Sequence, residues 1–132
     1  MYLLDTDTCV WLLRGREPLT SRAQAVSPVD VAVASMTVAE LWFGAINGNN
    51  SRAFEVIGAF LVSGVRLLPF DEDAAYRHAE IRHAVRAQPI GPRDLVIASV
   101  AVARGLTVVT SNVREFGSVP GLLHVDWMQA QA

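Results

Sequence analysis

Two aspartates near the start of the chain have the spacing of a catalytic motif. In the segment LLDTDTC, Asp5 and Asp7 follow a short apolar run. The pattern D-x-D-x-T occurs in phosphoryl-transfer enzymes, where the first aspartate is a nucleophile and the second a general acid. The same pair also fits one arm of a metal-binding acid cluster in a nuclease. A purely structural interpretation makes Asp5 a turn residue at a strand end and Asp7 the N-cap of the next helix.

Other polar residues stand where carboxylates do chemistry, and each also has a structural interpretation. Glu40 closes the segment TVAE, which fits a capping box with Thr37 as the N-cap. Asp94 lies in the first turn of a predicted helix, where the helix dipole stabilises a carboxylate. Asn112 can cap the short helix VREF, with Glu115 completing another box. Capping therefore explains each residue singly, but not their joint placement.

These residues are positioned by an alternation of strands and helices. The sequence pattern predicts strands at 2–5, 31–35, 65–70, 106–111 and, at a sheet edge, 122–127, with helices at 8–14, 37–47, 50–62, 71–87 and 93–104. The strands are apolar and rich in β-branched residues, which favours a mainly parallel sheet covered on both faces. We expect a three-layer α/β/α sandwich with a sheet of four to five strands, and one domain spanning 1–132.

The predicted fold brings the polar residues to one edge of the sheet. Asp5, Glu40 and Asn112 each follow a predicted strand, and Asp94 begins a helix that feeds the same edge. Clustered carboxylates repel one another and raise each other's pKa unless a cation compensates them. Oxygen ligands without a histidine and cysteine constellation favour Mg²⁺ or Mn²⁺ over zinc. The pattern therefore predicts a magnesium or manganese site.

Composition excludes several other classes of protein. All eleven basic residues are arginine, so chemistry that needs a lysine, such as a P-loop or a Schiff base, is excluded. The phosphatase interpretation of Asp5 is weakened for the same reason, because that class places a lysine beside the phosphoryl group. The net charge of -2 provides no general basic field. A single cysteine and the absence of a signal peptide or membrane span predict a cytoplasmic protein.

Over nearly its whole length the chain resembles a PIN domain, and more narrowly the VapC-type toxin ribonuclease of a type II toxin–antitoxin pair. The resemblance is carried by LLDTDTCVWLL, TVAELWFGA, IGPRDLVIASVAVARGLTVVTSNVREFGSVPGL and a closing DW, in that order. It implies a parallel α/β/α sandwich and cleavage of RNA that depends on Mg²⁺ or Mn²⁺. It also implies a homodimer and a small VapB-like antitoxin that wraps the toxin and blocks its site.

The resemblance assigns the catalytic positions to Asp5, Glu40, Asp94 and Asn112. It implies that Asp5 and Asp94 bind the metal directly, while Glu40 either binds it or orients the attacking water. The position of Asn112 is an aspartate in many PIN domains. Asparagine can still coordinate through its carbonyl, but it removes a negative charge and with it support for a second metal. A non-catalytic PIN-like binding module is therefore the alternative, beside a haloacid-dehalogenase-like phosphatase.

Residues around these positions have supporting roles under the same resemblance. Asp7 is either an outer residue of the site or only a helix cap, and Thr110 or Ser111 hydrogen-bonds within it. Arg93 and Arg114 either contact RNA phosphates or are solvated charges at helix ends.

The antitoxin surface is predicted on two helices near the amino-terminal half of the chain. Trp11, Leu12, Trp42 and Phe43 lie on helices that can flank a groove for an apolar antitoxin segment. The alternative interpretation makes these four side chains ordinary core residues.

Overall fold

A computed structural model describes residues 1–129, in which five parallel strands form one sheet between two layers of helices. The strands are β1 (Tyr2–Leu4), β2 (Val31–Ala34), β3 (Arg66–Leu68), β4 (Thr107–Val109) and β5 (Leu123–Val125). The helices are α1 (Thr6–Leu13), α2 (Leu19–Gln24), α3 (Ser35–Gly48), α4 (Ser51–Leu61), α5 (Glu72–Ala84), α6 (Pro92–Arg104) and α7 (Val113–Gly117), with a 3-10 turn at Pro28–Asp30. The predicted α/β/α sandwich is confirmed.

The strand order is β3-β2-β1-β4-β5, with β1 at the centre. Leu4 at the end of β1 is in register with Val33 of β2 and with Val109 of β4. The chain extends the sheet in one direction from β1 to β3 and then returns to place β4 on the other side of β1. The strand order therefore reverses between β1 and β4, and such a reversal opens a crevice at the carboxyl ends of the strands.

Successive residues of each strand face opposite layers, because side chains alternate across a sheet. Leu3, Ala32 and Val108 pack in one apolar cluster with residues of α5, α6 and α7. Leu4 and Val109 pack in the other cluster, with residues of α1, α2, α3 and α4. Both faces of the sheet are therefore covered, which explains why its strands read as nearly continuous apolar runs.

The helix α6 is buried against the sheet, as its apolar sequence predicts. Ile97, Ala98 and Val100 are fully buried, and Ser99 satisfies its hydroxyl by donating to the carbonyl oxygen of Leu95 at 2.6 Å. The helix ends at Gly105, whose positive φ of 66° is the left-handed conformation that glycine adopts without strain. The buried middle of the helix and its glycine C-cap thus define how α6 packs on the sheet.

One helix was not predicted. The sequence of α2, LTSRAQ, is too short to show an apolar periodicity, and tertiary contacts hold it instead. Leu19 is fully buried, and the guanidinium of Arg22 donates to the carbonyl oxygens of Trp127 and Gln129. Within the described residues, no helix combines the length and hydropathy required to cross a bilayer.

Candidate active site

The residues that follow β1 and β4 meet where the strand order reverses. The backbone N–H of Asp5 donates to the carbonyl oxygen of Val109 at 3.1 Å, so the sheet ladder carries Asp5 next to Thr110. Asp5 and Thr110 are both buried, at 4% and 1% exposure. The polar edge predicted from the sequence is therefore formed by adjacent strands.

Both carboxylate oxygens of Asp5 are held by hydrogen bonds. Its Oδ1 accepts from the backbone N–H of Thr8 at 2.9 Å, and its Oδ2 accepts from the hydroxyl of Thr110 at 2.5 Å. Burial raises the pKa of Asp5, and these two hydrogen bonds oppose the rise by stabilising the charged form. The carboxylate is thus fixed in orientation inside the protein, which suits a ligand better than a freely attacking nucleophile.

Asp5, and not Asp7, is the N-cap of α1. The helix begins at Thr6, two residues earlier than predicted, and Asp5 has the extended backbone of an N-cap with φ -74° and ψ 173°. Asp7 is exposed in the first turn, so its predicted capping role is wrong. The helix begins early because the hydrogen-bonded strand β1 ends at Leu4, immediately before a residue able to cap.

The capping box predicted for Glu40 is also wrong. The helix α3 begins at Ser35, directly after β2, and Thr37 lies inside it in a buried position. Glu40 instead faces the sheet edge, where its Oε1 accepts from the hydroxyl of Thr6 at 2.9 Å. Its Oε2 lies 3.6 Å from Nε of Arg93. A helix that starts before the expected cap frees Glu40 for the site.

Asp94 carries the strongest pKa perturbation among the cleft carboxylates. It lies in the first turn of α6, as predicted, but burial raises its pKa to about 7, and Glu115 adds to the rise through a hydrogen bond and charge repulsion. The same hydrogen bond lowers the pKa of Glu115. The pKa of Asp94 is therefore raised and that of Glu115 lowered, which shows that desolvation and a neighbouring acid outweigh the favourable helix dipole at Asp94.

Glu115 is the acid that the sequence analysis assigned only to a cap. Its Oε1 accepts from the backbone N–H of Gly91 at 3.0 Å, and its Oε2 accepts from the amide Nδ2 of Asn112 at 2.7 Å. Asn112 makes no side-chain cap of α7, so the second capping box is wrong as well. The sequence feature that could have assigned Glu115 to the site is its position one helical turn after Asn112. From there its carboxylate can reach back to the end of β4.

All four predicted site residues line one open cleft of about 240 Å³. Its walls are Asp5, Thr6, Asp7, Glu40, Gly91, Pro92, Arg93, Asp94 and Asn112. Among these described residues, Arg93 is the one basic side chain, and it is 71% exposed. The cleft thus concentrates acidic oxygen atoms with little positive charge to balance them.

The donor set of this cleft fits a hard divalent cation, because carboxylate oxygens are the ligands that Mg²⁺ and Mn²⁺ prefer. Within residues 1–129, no three acidic, histidine or cysteine side chains lie close enough around a common point to enclose an ion. Asp94 turns to Glu115, while Glu40 turns to Thr6 and Arg93. Binding therefore requires these side chains to exchange their present partners for the ion.

The remaining predicted residues divide between the cleft and the surface. Thr110 hydrogen-bonds to Asp5 and accepts from the backbone N–H of Asn112 at 2.9 Å, as predicted for a residue of the site. Ser111 instead donates to Asp126 at 2.8 Å, and Arg114 does not line the cleft. Thr110 is therefore the polar residue that connects β4 to the acids.

Thr110→Val is expected to destabilise the protein by about 1–3 kcal/mol, because an isosteric apolar side chain leaves Asp5 Oδ2 and the N–H of Asn112 without their partner. Thr110→Ser keeps the hydroxyl and serves as the control. Urea unfolding at neutral pH measures both variants. If Thr110→Ser lost as much stability as Thr110→Val, the hydroxyl would contribute no more than the methyl group, which would contradict the role given to the hydroxyl.

Comparison with known proteins shows that the chain is similar to one group of ribonucleases. The PIN domain family matches residues 2–122. The tRNA(fMet)-specific endonuclease VapC of Salmonella typhimurium is 33% identical over 129 residues, covering 96% of this chain and 97% of that protein. A crystal structure of DNA-bound VapBC from Salmonella typhimurium superposes with a TM-score of 0.84 at 34% identity, over 96% of this chain and 97% of that one. VapBC-5 of Mycobacterium tuberculosis, a member of the VapBC family of toxin–antitoxin systems, superposes with a TM-score of 0.69 at 26% identity. This superposition covers 94% of this chain and 96% of that one.

Proposed function

This chain belongs to the PIN-domain family and, within it, to the VapC ribonucleases, and we propose that it is a metal-dependent endoribonuclease acting as the toxin of a type II toxin–antitoxin pair. The observation that carries the proposal is the acidic cleft at the reversal of the strand order, which Asp5, Glu40 and Asp94 line together. We further propose one PIN domain over 1–132, a cytoplasmic location and a homodimer.

Asp5 and Asp94 would hold a Mg²⁺ or Mn²⁺ ion, and Glu40, Glu115 and Asn112 would complete or support its coordination. When bound, the ion would neutralise the acids, draw in the RNA phosphate and lower the pKa of an attacking water. Thr110 keeps the Asp5 carboxylate in place through its 2.5 Å hydrogen bond. The Asp5 carboxylate is therefore already oriented before the ion binds, whereas Asp94 would first exchange its hydrogen bond to Glu115 for the ion.

Glu40 and Arg93 have complementary tasks in this proposal. The carboxylate of Glu40 lies at the rim, where it can accept a proton from a water aimed at phosphorus. Arg93 is paired with Glu40 at 3.6 Å and projects into solvent, so it can turn to an RNA phosphate at small cost. The phosphatase alternative has no comparable support, because both oxygens of Asp5 are engaged and the chain has no lysine.

The test is RNA cleavage by the purified protein in the presence of Mg²⁺ or Mn²⁺ and in the presence of EDTA. We expect cleavage of structured RNA with either ion and none with EDTA. A thermal shift provides a second readout, since an ion at 100 times its Kd should stabilise the fold by about 2.7 kcal/mol. Absence of both cleavage and ion-dependent stabilisation would support the binding-module alternative.

We propose that the antitoxin lies in a groove of about 550 Å³ between α1, α3 and α4. The groove is lined by Val10, Leu13, Arg14, Glu40, Leu41, Gly44, Ala45, Gly48, Asn50, Arg52, Ala53, Val56 and Ile57. Glu40 lines this groove and the acidic cleft alike, so a segment lying in the groove reaches the site it must block. Solved relatives that carry the VapBC name support a proteinaceous partner for this fold.

The groove lies between helices that include the two on which the four predicted side chains stand, but none of those four side chains lines it. Trp11, Leu12 and Trp42 pack against the apolar cluster of this sheet face, and Trp42 stacks on Phe54 with ring centroids 5.9 Å apart. Phe43 is 67% exposed outside the groove. The first three residues are therefore half-buried against the core rather than in the groove, whose α3 wall includes Gly44, Ala45 and Gly48.

Gly44→Leu is expected to weaken antitoxin binding at least tenfold, because the new side chain occupies the groove, while RNA cleavage stays at the wild-type level. A Cβ at Gly44 meets no atom within 4 Å, so the new side chain starts in open space. Gly44→Ala is the matched control. Calorimetric titration with the cognate antitoxin measures the effect, and equal affinity of both variants would place the antitoxin elsewhere.

A further inference from the structure

We propose that a second cleft, formed by α5 and the start of α6, binds the sugar–phosphate backbone of the RNA segment beside the cleaved bond. This arginine cleft has a volume of about 610 Å³, and its polar walls are His78, Arg82, Arg86 and Arg93. The inference rests on the proposed ribonuclease function and assigns a binding surface to its substrate.

The spacing of the basic residues on α5 and just beyond it places them in one row. His78, Arg82 and Arg86 are four residues apart, so they follow the same face of the helix and of the turn that continues it. Arg93 stands across the cleft in the first turn of α6. The row is therefore a track of positive charge and not a single isolated cation.

Arg82 and Arg86 have no acidic partner in the part of the chain that the structure describes, whereas Arg93, across the cleft, lies 3.6 Å from Glu40. Arg77 and Arg104, which lie outside the cleft, pair with carboxylates at 2.8 Å and 2.9 Å. No carboxylate lies within 4.0 Å of Arg82 or Arg86 in residues 1–129, and no acidic residue lines the cleft. Guanidinium groups free of carboxylates are suited to bind phosphate, which they contact through a fork of N–H donors.

Two contacts hold the ends of the track. Arg86 donates from Nη1 to the carbonyl oxygen of His83 at 2.8 Å, which keeps its guanidinium beside the end of α5. The ring of His78 packs edge-on against Phe70 with centroids 5.6 Å apart. These contacts restrict the side chains and so reduce the entropy that binding would cost.

The floor of the arginine cleft is apolar. Val85, Ile90 and Leu95 are buried beneath it, and Pro89 and Pro92 form part of its rim. Proteins bind single-stranded nucleic acid in positively charged grooves that follow its backbone, usually with aromatic side chains on which bases stack. Here the basic residues provide the charge, and the residues lining the cleft offer aliphatic surface in place of Phe, Tyr or Trp. The chemistry of the cleft therefore matches a single-stranded or unpaired RNA segment.

The arginine cleft is continuous with the acidic cleft. Pro92 and Arg93 line both clefts, so an RNA strand leaving the acids passes directly over Arg93 to Arg82. The acids by themselves repel RNA, and the adjoining cations offset that repulsion along the strand. We infer that the track determines how the RNA approaches the site.

The experiment measures binding of a short fluorescein-labelled single-stranded RNA by fluorescence anisotropy, using full-length protein in a cleavage-deficient Asp94→Asn background. Adding Arg82→Ala and Arg86→Ala together is expected to raise Kd about tenfold. The slope of log affinity against log salt should become shallower by about 1.4, or 0.7 for each lost phosphate contact. Arg77→Ala, on the same helix but outside the cleft, is the matched control and should leave both quantities unchanged.

Two outcomes would overturn the inference without touching the proposed ribonuclease activity. The first is an unchanged Kd and salt slope in the double variant, while protein with an intact Asp94 still cleaves RNA. The second is a change of oligomeric state in the double variant by sedimentation, which would assign the cleft to a second copy of the chain. In active protein the double substitution should raise KM and leave kcat unchanged. Loss of cleavage by the wild type, in contrast, would contradict the proposed function itself.

Discussion

Asp5→Asn is expected to lower kcat/KM for RNA cleavage by about 10³-fold, or roughly 4 kcal/mol of transition-state stabilisation. Asparagine has nearly the shape of aspartate and caps helices about as well, so α1 should keep its start at Thr6. What the variant loses is the charge that would hold a divalent cation. Single-turnover cleavage of a labelled RNA, with Mn²⁺ near saturation, measures the loss.

The same substitution is expected to leave the metal-free protein as stable as the wild type, or more stable, near neutral pH. Burial raises the pKa of Asp5 in the folded protein, so the folded state keeps a proton that the unfolded chain releases from about pH 4 upward. The free energy of unfolding of the wild type therefore falls as pH rises from that value through the folded pKa. Asp94, whose pKa is about 7, contributes in the same direction between about pH 4 and pH 7.

Asp7→Asn provides the matched control for Asp5→Asn, because it makes the same chemical change two residues away at an exposed position. We expect it to alter cleavage by no more than a few-fold and stability by less than about 0.5 kcal/mol. Thermal unfolding between pH 4 and pH 8, with and without Mn²⁺, completes the comparison. Equal loss of cleavage in both variants, or a marked drop in the melting temperature of metal-free Asp5→Asn, would contradict the role given to Asp5.

Glu115→Gln is expected to weaken Mn²⁺ binding and RNA cleavage by about 10- to 100-fold, whereas Asn112→Asp should strengthen neither. The Glu115 carboxylate is already oriented by Gly91 and Asn112 and is hydrogen-bonded to Asp94. An aspartate at position 112 would remove the donor that Asn112 offers to Glu115 and place a second carboxylate beside it. Repulsion between the two would then offset the added charge.

Calorimetric titration with Mn²⁺ at neutral pH distinguishes these two variants directly. The result expected from the geometry is a raised Kd for Glu115→Gln and a Kd within about threefold of wild type for Asn112→Asp, a difference below roughly 0.7 kcal/mol. Glu80→Gln, on the surface of α5, serves as the control for a lost glutamate. Tighter binding by Asn112→Asp together with unchanged binding by Glu115→Gln would instead make position 112 the missing acid.

The order of strands and helices could be read from the sequence because apolar and β-branched runs report burial on both faces of a sheet. Leu3, Val33 and Val108 are fully buried in strands where such runs predicted them. The placement of Asp5 and Asp94 at one edge followed from the same pattern, since parallel strands end together. The helix α2 escaped prediction because Arg22 binds carbonyl groups more than a hundred residues away.

Helix starts were the main error, and they concerned the residues of the site. Thr37 and Asp7 both have the chemistry of an N-cap, yet α3 and α1 begin before them. A local capping pattern records only which residues can satisfy the first N–H groups of a helix. Where a strand runs directly into a helix, the sheet determines the boundary, and the side chain that could have capped becomes available for other contacts.

The sequence by itself determined the class of fold and the acidic, lysine-free character of the site, because both depend on residue types and their order. Only the tertiary structure decided which carboxylates contact one another and which polar groups hold them. Asp94 is hydrogen-bonded to Glu115, and Asp5 is held by Thr110, across distances in sequence that no local pattern spans. The physical reason is that burial and the distance between charges set the pKa of an acid, and both are properties of the folded chain.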